Sequence, residues 1–564
     1  MHKYDVDRLS VATWRRGAIL SLLVLCALAL APMTVAAIDN CESLMGFSLP
    51  DTTITVAQRI TNGSFSPPDG SATQLGLPPF CRVRGSIAPT SDSNIAFEVW
   101  LPISNWNKKM LGVGSGGFAG AFPWDLLANA SMVRGLKRGY AVVSTDTGHV
   151  GNPLLYGNAL LDASWAPGHP ERVVDFGYRA THLATVTGKA VVDAYYGRDP
   201  KYSYFWGCSG GGRQAMTEAQ RYPNDYQGIV AGDPTIYFTR LIAGGRFNMV
   251  ISTLKDPTLA SYIPASKMPL IANAVVAACD AADGVLDGVL ADPRQCAFDP
   301  SVLQCTAGDA PSCLTAPQVQ AVKDIYAGAK DSNGNQIYPG YLPGGEAHPG
   351  GWTANVSGPA PYKSGQYLYQ DSFFRYMVFN DPNYNFRQLN YDADISLADG
   401  KVIAGSPIAD NLASIVNGSN PNLLAFKKSG GKLIHYHGFN DPGVSPLASI
   451  AYYEKAAASL IDMTARRSED REDGKESTSL QSFYRLFMIP GMLHCAGGPG
   501  TDQYDMLSAL ERWVEANEPP DAIAASHLNA DGSVGFTRPL CPYPQKATWT
   551  GSAPTTDARN YRCE

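Results

Sequence analysis

The fold is decided by Gly207-Cys208-Ser209-Gly210-Gly211-Gly212, a stretch that contains the pattern G-x-S-x-G. The aromatic run at 202–206 predicts a buried strand before the pattern, and residues 213–219 predict the start of a helix after it. A serine on a tight turn between a strand and a helix is typical of a nucleophile elbow, because glycines let the neighbouring backbone pass close to the exposed hydroxyl. Ser209 is therefore the predicted nucleophile, on a fold of the α/β class.

Strand and helix patterns alternate on both sides of this elbow. Segments such as 97–101 predict strands and 179–196 predicts a helix, the rhythm of a mostly parallel sheet. Residues 237–422 break the rhythm with aromatic runs and short cysteine loops, so we expect a large lid domain inserted there. Residues 38–236 and 423–564 then form the α/β-hydrolase core.

Composition and charge exclude several classes of partner. The chain has 564 residues, of which 45% are hydrophobic, enough to bury a large core. Its net charge of -7 leaves no basic stripe, so neither nucleic acid nor an anionic membrane surface is an expected partner. We expect a globular protein that acts as a monomer on a small molecule.

The N-terminus predicts export. Arg15-Arg16 precedes an apolar run from Gly17 to Pro32, and Val35-Ala36-Ala37 forms a small-residue cleavage pattern. A membrane anchor is the alternative, but it needs about twenty apolar residues, and Pro32 interrupts a shorter run. Residues 1–37 are therefore predicted to be a signal peptide, and the mature chain to be secreted or periplasmic.

The cysteine count also supports export. Of 11 cysteines, Cys26 lies in the predicted signal, which leaves an even ten and predicts five disulfides. A zinc site is the alternative, but the sequence has no C-x-x-C pair. Closeness in sequence suggests four pairs: Cys41 with Cys81, Cys279 with Cys296, Cys305 with Cys313, and Cys541 with Cys563. Cys208 and Cys495 remain.

These two cysteines adjoin the predicted nucleophile and a histidine. Cys208 directly precedes Ser209, and Cys495 directly follows His494. If they form a disulfide, their Cα atoms must lie within about 7 Å, which would bring the hydroxyl and the imidazole together. A serine becomes nucleophilic when an imidazole can take its proton. His494 is the predicted general base.

The acid of a serine hydrolase triad is expected after a late strand, between the serine and the histidine in chain order. Residues 432–438 predict such a strand, and Asp441 lies in the turn that follows. We predict Asp441 as the acid, which would orient His494 and stabilise its protonated form. The alternatives are that this segment is only a turn, or that Asp233, after the strand at 228–231, is the acid.

An oxyanion hole needs two backbone N–H groups that point at the developing charge. Gly210, directly after the nucleophile, is the first candidate, and Gly117 in the glycine-rich loop 108–120 is the second. Such a loop could instead hold phosphate, but the lysine and Ser/Thr of a P-loop do not follow it. The predicted chemistry requires no organic cofactor.

Together these residues resemble the tannase and feruloyl esterase family, which includes the mono(hydroxyethyl) terephthalate hydrolases. The resemblance covers essentially the whole mature chain, and its signature is the set Cys208-Ser209, Asp441 and His494-Cys495. The cysteine count also fits those terephthalate-ester hydrolases. The resemblance implies an exported serine esterase that cleaves small aromatic carboxylic esters, with a lid inserted into the hydrolase core.

The same resemblance implies a structural Ca2+ in the lid. Its ligands would be the side chains of Asp280, Asp283 and Asp287 and the carbonyls of Val285 and Val289. Carboxylates at this density, with glycines that let the backbone curl inward, suit a hard cation. A solvated acidic turn is the alternative.

Two departures from the terephthalate hydrolases bear on the substrate. The terephthalate hydrolases that this chain resembles carry a glutamate directly after the nucleophile, whereas this chain has Gly210 at that position. They also use a lid arginine to pair a free carboxylate, for which Arg375 and Arg387 are candidates here. Feruloyl, caffeoyl or galloyl esters are therefore the expected substrates. The alternatives are a terephthalate monoester hydrolase, an acyltransferase or peptidase on the same triad, and a non-enzymatic binding scaffold.

Overall fold

The computed structural model describes residues 40–564 except for four short segments, which are 126–130, 402–410, 469–478 and 552–553. The predicted signal peptide at 1–37 lies outside the described residues. None of the described helices combines the length and the apolar character that a membrane crossing requires.

A nine-stranded sheet forms the centre of the molecule. We number its strands in chain order: β1 (Thr52–Ile60), β2 (Phe80–Ile87), β3 (Ile95–Pro102), β4 (Lys109–Val113), β5 (Ala141–Thr145), β6 (Tyr202–Cys208), β7 (Gly228–Gly232), β8 (Lys432–Gly438) and β9 (Tyr484–Ile489). Their spatial order is β1-β2-β3-β5-β4-β6-β7-β8-β9.

The sheet is parallel from β5 to β9 and antiparallel from β1 to β5. Strands β5, β7 and β9 are buried along their whole length, as expected for parallel strands covered on both faces. The prediction of a mostly parallel sheet is therefore right for the half that carries the elbow. The antiparallel edge arises because β2 and β3 follow each other through a short connection, which favours a hairpin.

Helices cover both faces. Those that pack on the sheet include α1 (Ala180–Tyr196), α2 (Gly210–Arg221), α3 (Pro446–Ser468) and α4 (Met506–Ala516). Side chains of β6 alternate between the two cores, because Phe205 belongs to one buried cluster while Tyr204 and Trp206 belong to the other. This layered arrangement is that of an α/β-hydrolase.

A long insertion separates β7 from β8. It continues from β7 through a helix that spans 238–254 and has a π-helical segment at Leu241–Arg246. Its other helices and strands are Met268–Cys279, Ala316–Ala327, Gly365–Ser372, Tyr391–Gly400, Leu412–Val416, Leu424–Lys428, and the pair Gly328–Lys330 and Gln336–Pro339. The predicted lid boundaries at 237 and 422 fall within this insertion and stay a prediction.

The insertion is tied to the core through the elbow helix. Arg213 of α2 is fully buried, and its guanidinium donates to the carbonyls of Phe176, Gly177 and Val416 at 3.0, 2.8 and 3.1 Å. Val416 belongs to the insertion, whereas Phe176 and Gly177 belong to the core. The side chain of Arg213 therefore joins the insertion to the core.

The remaining described α-helices and strands flank this body. They are the helices Met132–Lys137, Pro153–Tyr156 and Pro170–Val174, the strand pair Ser64–Phe65 and Gln74–Leu75, the sheet Gln503–Tyr504, Ile523–Leu528 and Val534–Leu540, and the pair Ala547–Trp549 and Tyr561–Cys563. All five predicted disulfides are present, including the one between Cys208 and Cys495.

Candidate active site

The turn between β6 and α2 holds Ser209 in an unusual conformation. Its φ of 64° and ψ of -121° lie where a residue with a Cβ is strained. Its N–H donates to the carbonyl of Gly232 at 2.9 Å, which fixes the turn against the end of β7. A Cβ on Gly207 would lie 2.3 Å from the carbonyl oxygen of Gly211, so glycine is required for the backbone to turn this tightly. These are the features of a nucleophile elbow.

A disulfide joins this turn to the histidine loop. The Cα atoms of Cys208 and Cys495 are 6.0 Å apart, although the residues are separated by 287 positions in sequence. Ser209 and His494 are the direct neighbours of these cysteines, and both keep part of their surface exposed. The bond therefore brings together the residues that adjoin the predicted nucleophile and the predicted base, at the carboxyl edge of the sheet.

Asp441 orients His494. Its Oδ2 lies 2.6 Å from Nδ1 of His494, while its Oδ1 accepts the N–H groups of Gly443 at 2.6 Å and Val444 at 2.9 Å. With Nδ1 donating to the carboxylate, Nε2 is free to accept a proton from a serine. Burial alone would raise the pKa of Asp441, but His494 and the neighbouring His437 hold it below its usual range.

Asp233, the rival acid, has other partners. Its carboxylate accepts the N–H groups of Gly438 at 2.9 Å and Cys495 at 3.2 Å, and the residue is fully buried. The hydrogen bond to the imidazole of His494 belongs to Asp441. The geometry therefore favours Asp441 as the acid.

The two predicted oxyanion-hole glycines lie against each other. A Cβ on Gly210 would come within 2.9 Å of the carbonyl oxygen and 3.1 Å of the nitrogen of Gly117. Gly210 is the first residue of α2, so its N–H has no acceptor within the helix. Gly117 has a φ of 56°, which favours glycine. This pair can direct backbone N–H groups at a carbonyl bound beside Ser209.

An arginine that the sequence analysis missed lies beside this pair. The hydroxyl of Tyr369 is 2.9 Å from the position of a Cβ on Gly117, and the guanidinium of Arg246 stacks on the Tyr369 ring at 3.9 Å. Arg246 is 6% exposed, and its Nε has no hydrogen-bond partner. Among the residues that the structure describes, none forms an ion pair with it. An arginine in the apolar, glycine-rich segment 241–246 is the signal that could have found it.

Arg375 and Arg387, the predicted carboxylate partners, are already engaged. Arg375 forms two hydrogen bonds with Asp371, at 3.2 and 2.9 Å. Arg387 donates to the carbonyls of Leu254 and Lys255, both at 3.1 Å. Their guanidinium groups serve to hold the insertion together, so neither is available in the way that Arg246 is.

The acidic loop at 280–289 offers carboxylate and carbonyl oxygens as possible metal ligands. Asp280 and Asp283 accept backbone N–H groups of the same loop and of Ala291, and Asp287 pairs with Arg538 at 2.6 Å. Burial and the charge of Asp287 raise the pKa of both Asp280 and Asp283. This crowding suits a hard cation, although the three carboxylates do not converge within 4.8 Å of one another. Val285 and Val289, the predicted carbonyl ligands, lie in the same loop.

Comparisons with known proteins agree with this architecture. A family model described as tannase and feruloyl esterase matches residues 81–564. An uncharacterized esterase of Xanthomonas campestris is 40% identical over 96% of this chain and 94% of its own length. Feruloyl esterase B of Aspergillus niger is 32% identical over 86% of each chain.

A solved structure is similar to this chain over nearly its whole length. The crystal structure of feruloyl esterase B from Aspergillus oryzae superposes with a TM-score of 0.79 and 28% identity. The superposition covers 93% of this chain and 99% of that one, so the insertion and the core are both included.

The disulfide beside the elbow should affect both stability and turnover. Replacing Cys208 and Cys495 together by alanine reopens a loop of 287 residues, for which loop entropy predicts a loss of about 5.7 kcal/mol in the free energy of unfolding. We expect kcat to fall as well, because the His494 loop is no longer held against the serine turn. Urea unfolding and ester hydrolysis measure the two effects.

The matched control is the double replacement of Cys305 and Cys313, whose bridge spans 8 positions in the insertion. Its predicted loss is about 2.5 kcal/mol, with kcat unchanged. An elbow variant as stable and as active as the wild type would contradict the role given to the bond.

Proposed function

The chain belongs to the tannase and feruloyl esterase family, whose members are carboxylic ester hydrolases, and from this premise we propose that it is an exported serine esterase for phenolic acid esters. The observation that carries the proposal is the hydrogen bond of 2.6 Å between Asp441 and His494, on a loop that a disulfide fastens to Cys208, the residue before Ser209. Feruloyl, caffeoyl and galloyl esters are the proposed substrates, because relatives are named for feruloyl esters.

The proposed reaction runs in two halves. His494 Nε2 takes the hydroxyl proton as Ser209 Oγ attacks the ester carbonyl, and the N–H groups of Gly210 and Gly117 stabilise the oxyanion. His494 then gives the proton to the alcohol, whose C–O bond breaks and leaves an acyl-enzyme. Water enters with His494 as base, and the same steps release the acid and restore Ser209. Asp441 stabilises the imidazolium in both halves.

The acyl group would lie between the core and the insertion. Tyr369 contacts Phe118 with a ring-centroid distance of 5.3 Å, so aromatic side chains stand directly beside Gly117. Arg246 adds a guanidinium with an unused donor next to these rings. An aromatic ring that carries a hydroxyl or a carboxylate matches that combination. The same arginine supports the second candidate function, hydrolysis of a terephthalate monoester.

Export and calcium binding belong to the same proposal. Five disulfides support an oxidising destination, as expected if residues 1–37 act as a signal peptide. For the acidic loop, we propose that Asp280, Asp283 and Asp287, with the carbonyls of Val285 and Val289, hold a structural Ca2+. When bound, the ion would neutralise the crowded carboxylates and stabilise the insertion; it takes no part in the ester chemistry.

The nucleophile is tested with Ser209→Ala. Loss of the hydroxyl should lower kcat by about four to six orders of magnitude with the melting temperature retained, since the alanine removes one surface-accessible oxygen. A panel of methyl ferulate, methyl caffeate, methyl gallate, a terephthalate monoester and peptide nitroanilides ranks the substrates in the wild type. A variant that keeps full ester activity would refute the proposed mechanism, and turnover of the nitroanilides alone would favour a peptidase.

Arg246→Met tests the recognition of the acyl group. Hydrogen bonds to a charged donor typically contribute about 1.5–3 kcal/mol, so kcat/KM for methyl ferulate or the terephthalate monoester should fall about tenfold to a hundredfold. Methyl cinnamate, which lacks ring substituents, should lose much less. Arg387→Met is the control, because that guanidinium faces backbone carbonyls. Equal losses for substituted and unsubstituted esters would remove Arg246 from substrate recognition.

Chelation tests the metal proposal. At calcium one hundredfold above its Kd, binding stabilises the folded state by about 2.7 kcal/mol, so EGTA should lower the melting temperature by several degrees. Asp283→Asn should melt lower than the wild type and no longer respond to EGTA. Asp256→Asn, at an acid elsewhere in the insertion whose carboxylate accepts hydrogen bonds from Thr258, should respond like the wild type. A wild-type melting temperature that EGTA leaves unchanged would rule out the ion.

A further inference from the structure

A second imidazole lies behind the acid of the proposed triad. His437 is fully buried, and its Nε2 is 3.2 Å from Oδ2 of Asp441, 3.6 Å from Oδ1 of Asp233 and 3.1 Å from the carbonyl of Val444. All three of these atoms accept hydrogen bonds, and a carbonyl cannot donate one. Nε2 of His437 must therefore carry a hydrogen.

The other ring nitrogen of His437 also faces a group that can accept. Nδ1 lies 2.7 Å from Oγ of Ser449, which in turn lies 2.9 Å from Nε2 of His435. Burial and the neighbouring His437 lower the pKa of His435 far below its usual range, so His435 is neutral. If Ser449 donates to Nε2 of His435, its lone pairs are available to Nδ1–H of His437. Both nitrogens of His437 then have acceptors, as an imidazolium requires.

Two buried carboxylates provide the charge that such an imidazolium would balance. Asp233 and Asp441 are 0% and 1% exposed, and ligand atoms of both lie within 4.8 Å of one another and of His494. Buried carboxylates without a cationic partner are strongly destabilising. Burial and the charge of Asp441 raise the pKa of Asp233, while the charge on His437 lowers it and so favours the ionised carboxylate. Burial also opposes a charge on His437, but the two acids outweigh it and raise its pKa.

Asp233 has a structural task of its own in this cluster. Through its two oxygens it receives the N–H of Gly438, at the end of β8, and the N–H of Cys495, beside the base. Its own N–H donates to the carbonyl of Tyr436 at 2.9 Å. One ionised carboxylate thus aligns the acid strand with the histidine loop, and it does so best as an anion that accepts from both.

We propose that His437 is a buried imidazolium that balances Asp233 and Asp441, and so keeps the acid of the triad ionised and aimed at His494. His437 is then a positioning residue, and Asp233 is its counter-ion. The inference rests on the proposed roles of Asp441 and His494. The other titratable groups that face this cluster are His435 and Tyr484 next to Ser449, Tyr436 and Tyr504 near Asp233, and Tyr338 and Tyr341 near Asp441.

A substitution that removes the charge of His437 but keeps a hydrogen-bond donor distinguishes this role from simple packing. His437→Gln keeps an N–H donor near Asp441 but removes the cation, which leaves two buried anions. Outer-shell partners that orient metal ligands typically contribute about tenfold to a hundredfold. By analogy we expect kcat to fall by that factor while KM stays close to the wild-type value. Adding Asp233→Asn removes one of the two anions, so the double variant should be more active than His437→Gln alone. A double variant that is equally or less active would overturn the proposal.

The protonation state can be read directly by NMR of protein labelled in its histidine rings. The His437 signals, identified by their loss in His437→Gln, should report a doubly protonated ring at pH 7 in the wild type. In Asp233→Asn the ring should release its proton at lower pH, because one of the two stabilising anions is gone. This readout needs only Asp233→Asn if His437→Gln does not fold. A neutral His437 ring at pH 7 in the wild type would overturn the proposal.

The ring titration is also independent of the esterase assignment. It can be measured in Ser209→Ala protein, in which turnover is absent if the proposed mechanism holds. A protonated His437 in a protein whose Ser209→Ala variant keeps full activity would refute the proposed function alone. A neutral His437 with an inactive Ser209→Ala variant would refute the positioning role alone.

Discussion

One covalent constraint, the bond between Cys208 and Cys495, determines how the rest of the site is arranged. It holds the end of β6 and the loop after β9 at a Cα separation of 6.0 Å, across two intervening strands. Ligands of open α/β sheets bind at the carboxyl ends of the strands, and Ser209, Asp233, Asp441 and His494 all follow such ends. The elbow, the acid turn and the histidine loop are therefore parts of one rigid edge rather than three separate loops.

The insertion completes that edge from outside. Arg213 in the elbow helix donates to carbonyls on both sides of the junction, including Val416 of the insertion. On the other side of the elbow, Tyr369 of the insertion reaches Gly117 of the core, and Arg246 stacks on the Tyr369 ring. In the proposed mechanism, strand ends supply the reacting groups, while the insertion supplies the groups that face the acyl part of a substrate. Variation in the insertion would then alter the substrate without disturbing the proposed triad.

Local patterns predicted most of the core and most of the residues that the candidate site brings together. The elbow, the strand Lys432–Gly438 and the cysteine pairs are all encoded over short distances, by periodicity, turn residues or adjacency. His437 and Arg246 were missed because their meaning depends on tertiary neighbours. His437 is one alternating residue of a buried strand until Asp233 is brought to 3.6 Å from it. Arg246 differs from Arg375 in that it forms no ion pair with any residue in the described part of the chain. Charge balance inside a protein is a property of packing, which the order of residues along the chain does not contain.

The long span of the elbow bridge also imposes an order on oxidative maturation. The four other bridges join cysteines 8 to 40 positions apart, whereas Cys208 is followed by four cysteines before Cys495 is synthesised. In a compartment that oxidises thiols while the chain is still being translocated, Cys279 is the next cysteine along the chain with which Cys208 can form a disulfide. The native bond then depends on thiol–disulfide exchange that releases early mispairings. A host that oxidises but does not isomerise disulfides would accumulate chains with a complete backbone and a misassembled catalytic edge.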